Sequence, residues 1–250
     1  SYAELYFLSM WYRNIFNHLG DSGVRSSLNA TELLEIPITV PSFAEQKRIA
    51  SFLDSKCSEI DSITADIQKE IDTLQEYRKS VITEAVTKGL DPNAEMKDSG
   101  VDWIGDIPQT WKIVKLKYVL TERKEKSIFG TELLLSVSQC KGVIPSGKLD
   151  NRTMQADSLI GYKIVKKNDL VFNKLNPGLA RFGCSEYDGI TSPDFAVYIP
   201  NNPYMSVFLA YLLKTNRYVS EFKKTGTGVG DGFARLYTPQ LFNFLIAIPD

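Results

Sequence analysis

Two groups of residues approximate catalytic sites, and each lacks something that its chemistry requires. The run Gly-Val-Ile-Pro-Ser-Gly-Lys-Leu at 142–149 is similar to a phosphate-binding loop, but Leu149 occupies the position where a Ser or Thr hydroxyl must bind Mg²⁺. Asp194 could be combined with Glu221 and Lys223 as a nuclease metal site. The last two residues fall within a predicted helix, and such spacings arise often by chance. We therefore predict no nucleotide site and no metal site.

The residues that nucleophilic catalysis and metal binding most often use are scarce. His18 is the only histidine, and the tripeptide Asn202-Pro-Tyr204 lacks the second Pro of the methyltransferase element that it approximates. A turn that opens a helix explains this tripeptide better. The cysteines are odd in number and far apart, which favours a reducing compartment and argues against a zinc cluster; they are Cys57, Cys140 and Cys184. We predict that the chain has no catalytic residues.

The net charge of −1 conceals a strong asymmetry along the chain. Residues 1–41 and 42–90 each carry a net charge of −2, and residues 91–111 carry −4. Residues 112–250 have 19 basic and 12 acidic residues, a net charge of +7. A basic region on a nearly neutral chain favours an anionic partner for that region, such as nucleic acid. The alternative is that these lysines and arginines are scattered over a solvated surface.

Candidate DNA contacts lie in glycine- and proline-rich loops of residues 112–250. Lys and Arg neutralise phosphates, whereas Arg, Asn, Gln and Lys can read base edges. The glycine-rich run 226–232 is too flexible to form a core and is expected to lie against a ligand. For each candidate, a solvated surface position is the alternative. The predicted contacts are Lys141, Lys148, Asn151, Arg152, Lys174, Asn176, Arg181, Lys223, Lys224, Gly228, Gly230 and Arg235.

A single long helix is predicted between Ser42 and Lys88, where no Gly or Pro occurs. Ser42 and Glu45 have the spacing of a capping box, and Gly89 follows the last helical residue. At 1.5 Å per residue the helix would be roughly 70 Å long. Its apolar stripe has a helical period and needs another helix to cover it. The alternative is two helices broken near 62–65. The predicted coiled-coil residues are Leu53, Ile60, Ile63, Ile67, Ile71, Leu74 and Val81.

The remainder of the chain is predicted to contain short strands and a second helix. Apolar or alternating runs bounded by Gly and Pro indicate strands; these are Leu133–Val137, Tyr162–Val165, Asp169–Asn173 and Phe195–Ile199. A helix is predicted at Met205–Lys224. Trp103 and Trp111 flank an Ile-Pro turn and are expected to anchor packing rather than stack on bases.

An internal repeat relates the two ends of the chain. The segment Leu236–Pro249 matches Leu28–Pro41 at an offset of 208 residues. The matched pairs are Leu236 and Leu28, Leu241 and Leu33, Ile246 and Ile38, Ile248 and Val40, and Pro249 and Pro41. Upstream, the run Val-Phe-Leu-Ala at 207–210 is similar to Tyr-Phe-Leu-Ser at 6–9. This pattern predicts the end of one domain, a long helix, and most of a second, related domain.

The junction between the repeat and the helix resembles a known family. The run from Ile36 to Asp54, Ile-Pro-Ile-Thr-Val-Pro followed by Glu-Gln-Lys-Arg-Ile, resembles the strand-to-helix junction of type I restriction-modification specificity subunits. Lys88–Pro92, with the run 100–111, resembles the start of that family's second target recognition domain. Segments 161–173 and 189–194 resemble the interior of that domain. The family has two recognition domains and two long helices, whereas this sequence has one helix and about one and a quarter domains.

The resemblance implies an α+β fold, in which a target recognition domain with a mixed or antiparallel sheet is joined to a long coiled-coil-forming helix. It implies four parts: residues 1–41 as the C-terminal part of the first recognition domain, 42–90 as the spacer helix, 91–111 as a linker, and 112–250 as the second, DNA-binding recognition domain. Half-sites about one turn of DNA apart need recognition units held roughly 34 Å apart by a stiff element.

The resemblance also implies a non-catalytic, cytoplasmic subunit that reads half of a bipartite double-stranded DNA target. Its expected protein partners are DNA methyltransferase subunits, a motor-nuclease subunit, and a second copy of itself. S-adenosylmethionine, ATP and Mg²⁺ are then expected in the partner subunits and not in this chain. No apolar run reaches the ~18 residues of a membrane span.

Two other functions remain open from the residues alone. The chain could be a stand-alone DNA adenine methyltransferase or nuclease, which the incomplete motifs disfavour. It could also be a coiled-coil adaptor that does not bind DNA, which the +7 region disfavours.

Overall fold

The fold is that of a computed structural model, which describes residues 1–13, 15–16, 31, 34–149, 158–228 and 234–249. The chain divides into two compact units, Ser1–Glu76 and Tyr77–Asp250, and each is described by itself. Within the described residues, no helix combines the length and the apolar character that crossing a membrane requires.

The first unit begins with helix α1 (Tyr2–Tyr12). The Ser1 hydroxyl accepts a hydrogen bond from the Glu4 backbone N–H, and the Glu4 side chain accepts from Ser1 in return, which completes a capping box. Two tyrosines connect α1 to the extended segment that follows. The Tyr2 hydroxyl donates to the Thr39 carbonyl at 3.2 Å, and the Tyr6 hydroxyl accepts from the Thr39 N–H at 3.3 Å.

The long helix is continuous, as predicted from the absence of Gly and Pro between Ser42 and Lys88. Helix α2 (Phe43–Lys88) has 46 residues, so the alternative of a break near 62–65 is wrong. The Glu45 N–H donates to the Ser42 hydroxyl at 3.3 Å, which confirms Ser42 as the N-cap. Gly89 ends the helix with a φ of +83°, a conformation that favours glycine.

The predicted coiled-coil stripe is exposed along the middle of α2. Because no described residue of the chain covers them, the five central side chains keep between 41% and 60% of their accessible surface; they are Ile60, Ile63, Ile67, Ile71 and Leu74. Val81 is also exposed, and Leu53 is half-buried. A stripe of this kind loses the stabilisation of apolar burial unless another helix packs on it.

The second unit is built mainly from short strands and three further helices among its described residues. The strands are β1 (Met96–Asp98), β2 (Asp106–Pro108), β3 (Lys112–Lys115), β4 (Leu120–Glu122), β5 (Leu135–Ser138), β6 (Gly142–Pro145), β7 (Lys163–Val165), β8 (Leu170–Asn173), β9 (Phe182–Cys184), β10 (Gly189–Thr191), β11 (Phe195–Pro200) and β12 (Leu245–Ile248). The helices are α3 (Pro203–Leu212), α4 (Asn216–Thr225) and α5 (Thr238–Phe242).

The main sheet has the strand order β4-β11-β8-β9, and every pairing in it is antiparallel. Four antiparallel pairs surround it: β1–β2, β3–β12, β5–β6 and β7–β10. The α+β fold class is confirmed. The four strands predicted from the sequence are also confirmed, as β5, β7, β8 and β11.

Aromatic side chains hold the helices on one face of the main sheet. The rings of Phe172 and Phe182 stack at 4.8 Å, and Phe222 of α4 meets both rings edge-on. Trp103 packs edge-on against Tyr218, and Trp111 packs edge-on against Phe208. The expectation that both tryptophans anchor packing is therefore confirmed. Val86, near the end of α2, contributes to the same core.

The prediction of one helix over Met205–Lys224 is wrong, because the chain breaks it into α3 and α4. The break occurs at Thr215, whose backbone is extended with a ψ of 149°. Thr215 is buried, and its hydroxyl donates to the Leu212 carbonyl at 2.8 Å, which satisfies a carbonyl at the end of α3. The change of direction brings Tyr218 and Phe222 into the core.

A buried ion pair joins Arg123, which follows β4, to Asp169, which precedes β8. The Arg123 guanidinium donates to both Asp169 carboxylate oxygens, at 2.7 and 3.1 Å. The Arg123 side chain is 12% exposed and that of Asp169 is 3% exposed. Asp169 also accepts from the Lys166 backbone N–H at 2.7 Å. The hydrogen bonds to Asp169 raise the pKa of Arg123 above its ordinary value, which favours the charged guanidinium.

We expect Asp169→Ala to lower the free energy of unfolding by about 3–5 kcal/mol, because it removes the buried partner of the Arg123 guanidinium and leaves only the exposed Glu125, at 3.0 Å. Urea unfolding followed by circular dichroism measures this loss. Asp188→Ala is the matched control, because Asp188 pairs with Lys166 at 3.2 Å on the surface and should contribute about 1 kcal/mol or less. Equal losses in the two variants would contradict a special role for the buried pair.

We expect Ile67→Asp combined with Ile71→Asp to abolish association through α2, because the stripe would no longer present a continuous apolar surface. Sedimentation equilibrium of the chain, alone and with the partner subunits that the family resemblance implies, measures the association. Ser62→Asp with Thr73→Asp adds the same charge on the opposite face of α2 and should leave association intact. A wild-type chain that stays monomeric and binds no helical partner would refute this prediction.

Candidate nucleic-acid interface

Several chain segments meet at one end of the main sheet. Strand β8 ends where β11 begins, and Asn173 pairs with Phe195. Beside them, Lys163 at the start of β7 pairs with Thr191 at the end of β10. The loops 174–181 and 192–194 therefore leave from the same end of the sheet, which we call the sheet edge. Antiparallel partners place the end of one strand beside the start of the next.

Four basic residues form what we call the basic cluster at this edge: Lys126, Lys163, Lys174 and Arg235. Lys126 pairs with Lys163 in an isolated bridge. The Lys163 ammonium donates to the Phe195 carbonyl at 2.7 Å and lies 3.9 Å from a Glu122 oxygen. The backbone N–H of Leu236 donates to the Lys174 carbonyl at 2.9 Å, which places Arg235 next to Lys174.

The carboxylates beside the basic cluster do not neutralise it. The Arg235 guanidinium lies 3.7 Å from a carboxylate oxygen of Asp194, which is largely exposed. Burial lowers the pKa of Lys163, and the positive charges of Lys174 and Lys126 lower it further, against the opposite effects of Glu122 and Asp194. The lowered pKa of Lys163 thus reflects burial first, and then the neighbouring positive charges.

The loop 174–181 is folded into a defined shape. Asn176 and Ala180 have φ angles of 51° and 47°, in the left-handed region that most residues avoid. Backbone hydrogen bonds hold the loop in this conformation: the Asn176 N–H donates to the Ala234 carbonyl at 2.8 Å, and the Leu175 N–H donates to the Asn173 side chain at 2.9 Å. The side chain of Asn176 is therefore presented from a fixed backbone.

The end of α4 brings a further lysine to the same loop. A Cβ atom at Gly178 would lie 2.4 Å from Cγ and Cε of Lys223, so the aliphatic part of Lys223 lies directly on this glycine. Lys224 is paired with Glu221 at 2.6 Å on the exposed side of α4. Just beyond the helix, Thr227 and Arg235 exchange two backbone hydrogen bonds, at 2.8 and 2.9 Å.

The structure brings some of the predicted contacts together and separates others. Lys174, Asn176, Lys223 and Arg235 meet around the loop 174–181. Lys224, Gly228 and Arg181 are exposed; Lys224 follows Lys223 directly, and Arg181 directly precedes β9. Lys141 and Lys148 lie on a separate hairpin, formed by β5 and β6. Asn151, Arg152 and Gly230 lie outside the described residues, as does His18.

Sequence reasoning missed Lys126 and Lys163. Neither lies in a glycine- or proline-rich loop, which was the signal used to select candidates. Lys163 was part of a predicted strand, and only the pairing of β7 with β10 and the hydrogen bond to Phe195 bring it to the sheet edge. No local signal in the sequence identifies it.

The motifs that approximate catalytic sites have structural explanations. Residues 142–148 form strand β6 followed by a 3-10 turn at Ser146–Lys148, in place of a loop that opens an α-helix. The Asn202 side chain accepts from the Tyr204 N–H at 3.0 Å and caps α3, which confirms the predicted turn. In the part of the chain that the structure describes, no group of three His, Cys, Asp or Glu side chains could hold a metal ion.

Comparisons with known proteins agree with this fold and its strand-to-helix junction. The sequence model of a family described as "Type I restriction modification DNA specificity domain" matches residues 1–73. Among solved structures, a chain from work on complex assembly and conformational transition of the type I R-M system superposes with a TM-score of 0.50 at 12% identity. That superposition covers 91% of this chain and 53% of the other, and it supports the fold alone.

Curated relatives extend the match along the sequence. The type I restriction enzyme MjaVIII specificity subunit of Methanocaldococcus jannaschii is 27% identical over 230 residues, which cover 86% of this chain and 52% of the relative. The StySPI specificity subunit of Salmonella potsdam is 28% identical over 103 residues, 41% of this chain and 22% of the relative. This chain thus spans about half the length of the first relative and less of the second. The chain is therefore similar to type I restriction-modification specificity subunits, through the family model over residues 1–73 and through these relatives over longer stretches.

Proposed function

We propose that this chain recognises double-stranded DNA as part of a type I specificity subunit, and that it reads one half of a bipartite target. The observation that carries the proposal is the basic cluster, in which four separate segments bring Lys126, Lys163, Lys174 and Arg235 to one sheet edge. Clustered basic side chains are suited to the phosphate contacts that dominate affinity for DNA. Relatives named as specificity subunits support the same function.

Different residues at the sheet edge suit different parts of the task. Lysines act as point charges, so Lys126 and Lys174 are suited to phosphates, whereas Lys163 is largely buried and donates to the Phe195 carbonyl. Asn176 has an amide that can hydrogen-bond an adenine edge in two places, and its loop holds the backbone fixed. The guanidinium of Arg235 is partly exposed beside Asp194 and can turn towards guanine or a phosphate.

The long helix α2 fits a role as a spacer and docking surface. With 46 residues it is roughly 70 Å long, which is enough to span two half-sites about 34 Å apart. We propose that its exposed stripe packs against a helix of a second copy or of a DNA methyltransferase subunit. The motor-nuclease subunit would join the resulting assembly.

We propose that the chemistry of methylation and cleavage resides in those partners. S-adenosylmethionine, ATP and Mg²⁺ would act there, and this chain would contribute the choice of DNA sequence. The incomplete motifs at 142–149 and Asn202–Tyr204 support a non-catalytic chain, because both are accounted for by ordinary secondary structure. We place this function in the cytoplasm, where DNA and these cofactors are available.

We expect Lys174→Ala and Arg181→Ala each to weaken DNA binding and to reduce the slope of log K against log salt by roughly one, because each removes one phosphate contact. Fluorescence anisotropy with a labelled 40-bp duplex at several KCl concentrations measures both quantities. Lys56→Ala and Lys69→Ala are controls on α2. If affinity and slope follow the α2 lysines instead, the recognition surface lies elsewhere.

We expect the purified chain neither to methylate nor to cut DNA when S-adenosylmethionine, ATP and Mg²⁺ are all supplied. Methylation should begin when a methyltransferase subunit is added, and cleavage only with the motor-nuclease subunit as well. Transfer of a radiolabelled methyl group and agarose gel analysis measure the two activities. Methylation by the isolated chain that Asn202→Ala eliminates would overturn this prediction.

A further inference from the structure

Beside the basic cluster, the chain exposes three large apolar side chains at the tips of two adjoining loops. Ile128, Phe129 and Ile160 keep 74%, 76% and 64% of their accessible surface. We call these three residues the apolar knob. Phe129 is three residues from Lys126, so its Cα lies at most about 11 Å from that of Lys126. The knob therefore borders the positively charged edge of the sheet.

The two loops that carry the knob are held together by their backbones. The Ser127 N–H donates to the Tyr162 carbonyl at 2.8 Å, and the Gly161 N–H donates to the Ser127 carbonyl at 2.9 Å. Gly130 has a φ of +68°, and a Cβ atom at this position would lie 2.7 Å from the carbonyl carbon of Leu159. Only a glycine allows the loops to approach so closely.

Side-chain hydrogen bonds fix the tip of the first loop. Ser127 is buried, and its hydroxyl accepts from the Gly130 N–H at 2.8 Å while it donates to the Glu132 carboxylate at 2.6 Å. This hydrogen bond lowers the pKa of Glu132, which favours its charged form. Ile128 and Phe129 therefore project from a turn whose conformation is set before any ligand binds, so presenting them requires little further ordering.

We propose that the apolar knob inserts against DNA bases, with Phe129 as a wedge that stacks on or between base pairs while the basic cluster holds the adjacent phosphates. Proteins that bend DNA use Phe, Ile and Leu side chains in this way, beside lysines and arginines. The positive charge of the neighbouring basic cluster favours a nucleic acid as the partner of the apolar knob. A nucleic acid is the partner that combines closely spaced negative charges with flat apolar faces. This inference rests on the proposed function, since it assigns a second mode of contact to the same surface.

Apolar insertion and phosphate neutralisation make DNA affinity depend differently on salt concentration. Stacking releases no counterions, so Phe129→Ala should weaken binding to a mixed-sequence 40-bp duplex about tenfold without changing the salt slope. Lys174→Ala should reduce the slope. Tyr204→Ala is the matched control, because Tyr204 is an aromatic residue that is 85% exposed on α3. It should leave both quantities unchanged.

A spectroscopic variant tests the insertion directly. Phe129→Trp should retain DNA binding, and the emission of the introduced indole should be quenched when duplex is added, as expected of a ring stacked on bases. The emission of an indole introduced by Tyr204→Trp should not change. Because the side chain of Phe129 is exposed, circular dichroism should show unchanged folding for every variant.

The outcomes separate this inference from the proposed function. If the wild-type chain binds duplex with a salt slope that Lys174→Ala reduces, but Phe129→Ala binds equally well and no quenching occurs, the knob inference is wrong and the proposed function stands. Loss of methyltransferase association in Phe129→Ala, with DNA binding intact, would likewise overturn the inference and make the knob a protein-docking surface. A wild-type chain that binds no DNA would overturn both.

Discussion

The antiparallel pairing of β8 with β11 is the constraint on which the second unit depends. Both strands are buried on both faces: Phe172 and Tyr198 face the aromatic core, whereas Val171 and Val197 face a second, aliphatic core. A shift of one residue in either strand would exchange the two sets of side chains, so burial fixes the register. The same register places Asn173 opposite Phe195 and so determines which loops leave the sheet together.

The basic cluster is a consequence of that register. Lys174 follows β8 directly, Asp194 precedes β11 directly, and Lys163 is held to the same edge by the Phe195 carbonyl. Like charges gathered in this way reduce stability, and two carboxylates, Glu122 and Asp194, offset part of that cost. Four basic residues against these two carboxylates leave an excess of positive charge at this end of the sheet. The buried Arg123–Asp169 pair combines opposite charges within one contact and contributes to folding.

The candidate site could be predicted only in part, for reasons that particular residues illustrate. Lys174 and Arg235 could be predicted as contacts because they flank turns rich in Gly and Pro, and such turns can be recognised in the sequence. Lys163 was not found, because it lies in a strand and reaches the site through long-range pairing. Lys148 has the same local signal as Lys174, but it ends a 3-10 turn after β6, and no strand pairing joins it to the basic cluster among the described residues. Local signals identify loops, whereas strand pairing decides which loops meet.

The sequence alone determined the long helix α2, its Ser42 cap and Gly89 terminus, and four of the strands, because local periodicity and capping depend on residues close together in the chain. Only the tertiary structure decided the break at Thr215, since a buried hydroxyl and the core positions of Tyr218 and Phe222 override helical propensity. The internal repeat also shows that sequence pattern and burial are determined separately. Ile246 is fully buried because β12 pairs with β3, whereas its sequence equivalent Ile38 is 47% exposed in the first unit, where no described strand pairs with it. Equal sequence patterns thus acquired different burial, because burial depends on which distant segment supplies the partner.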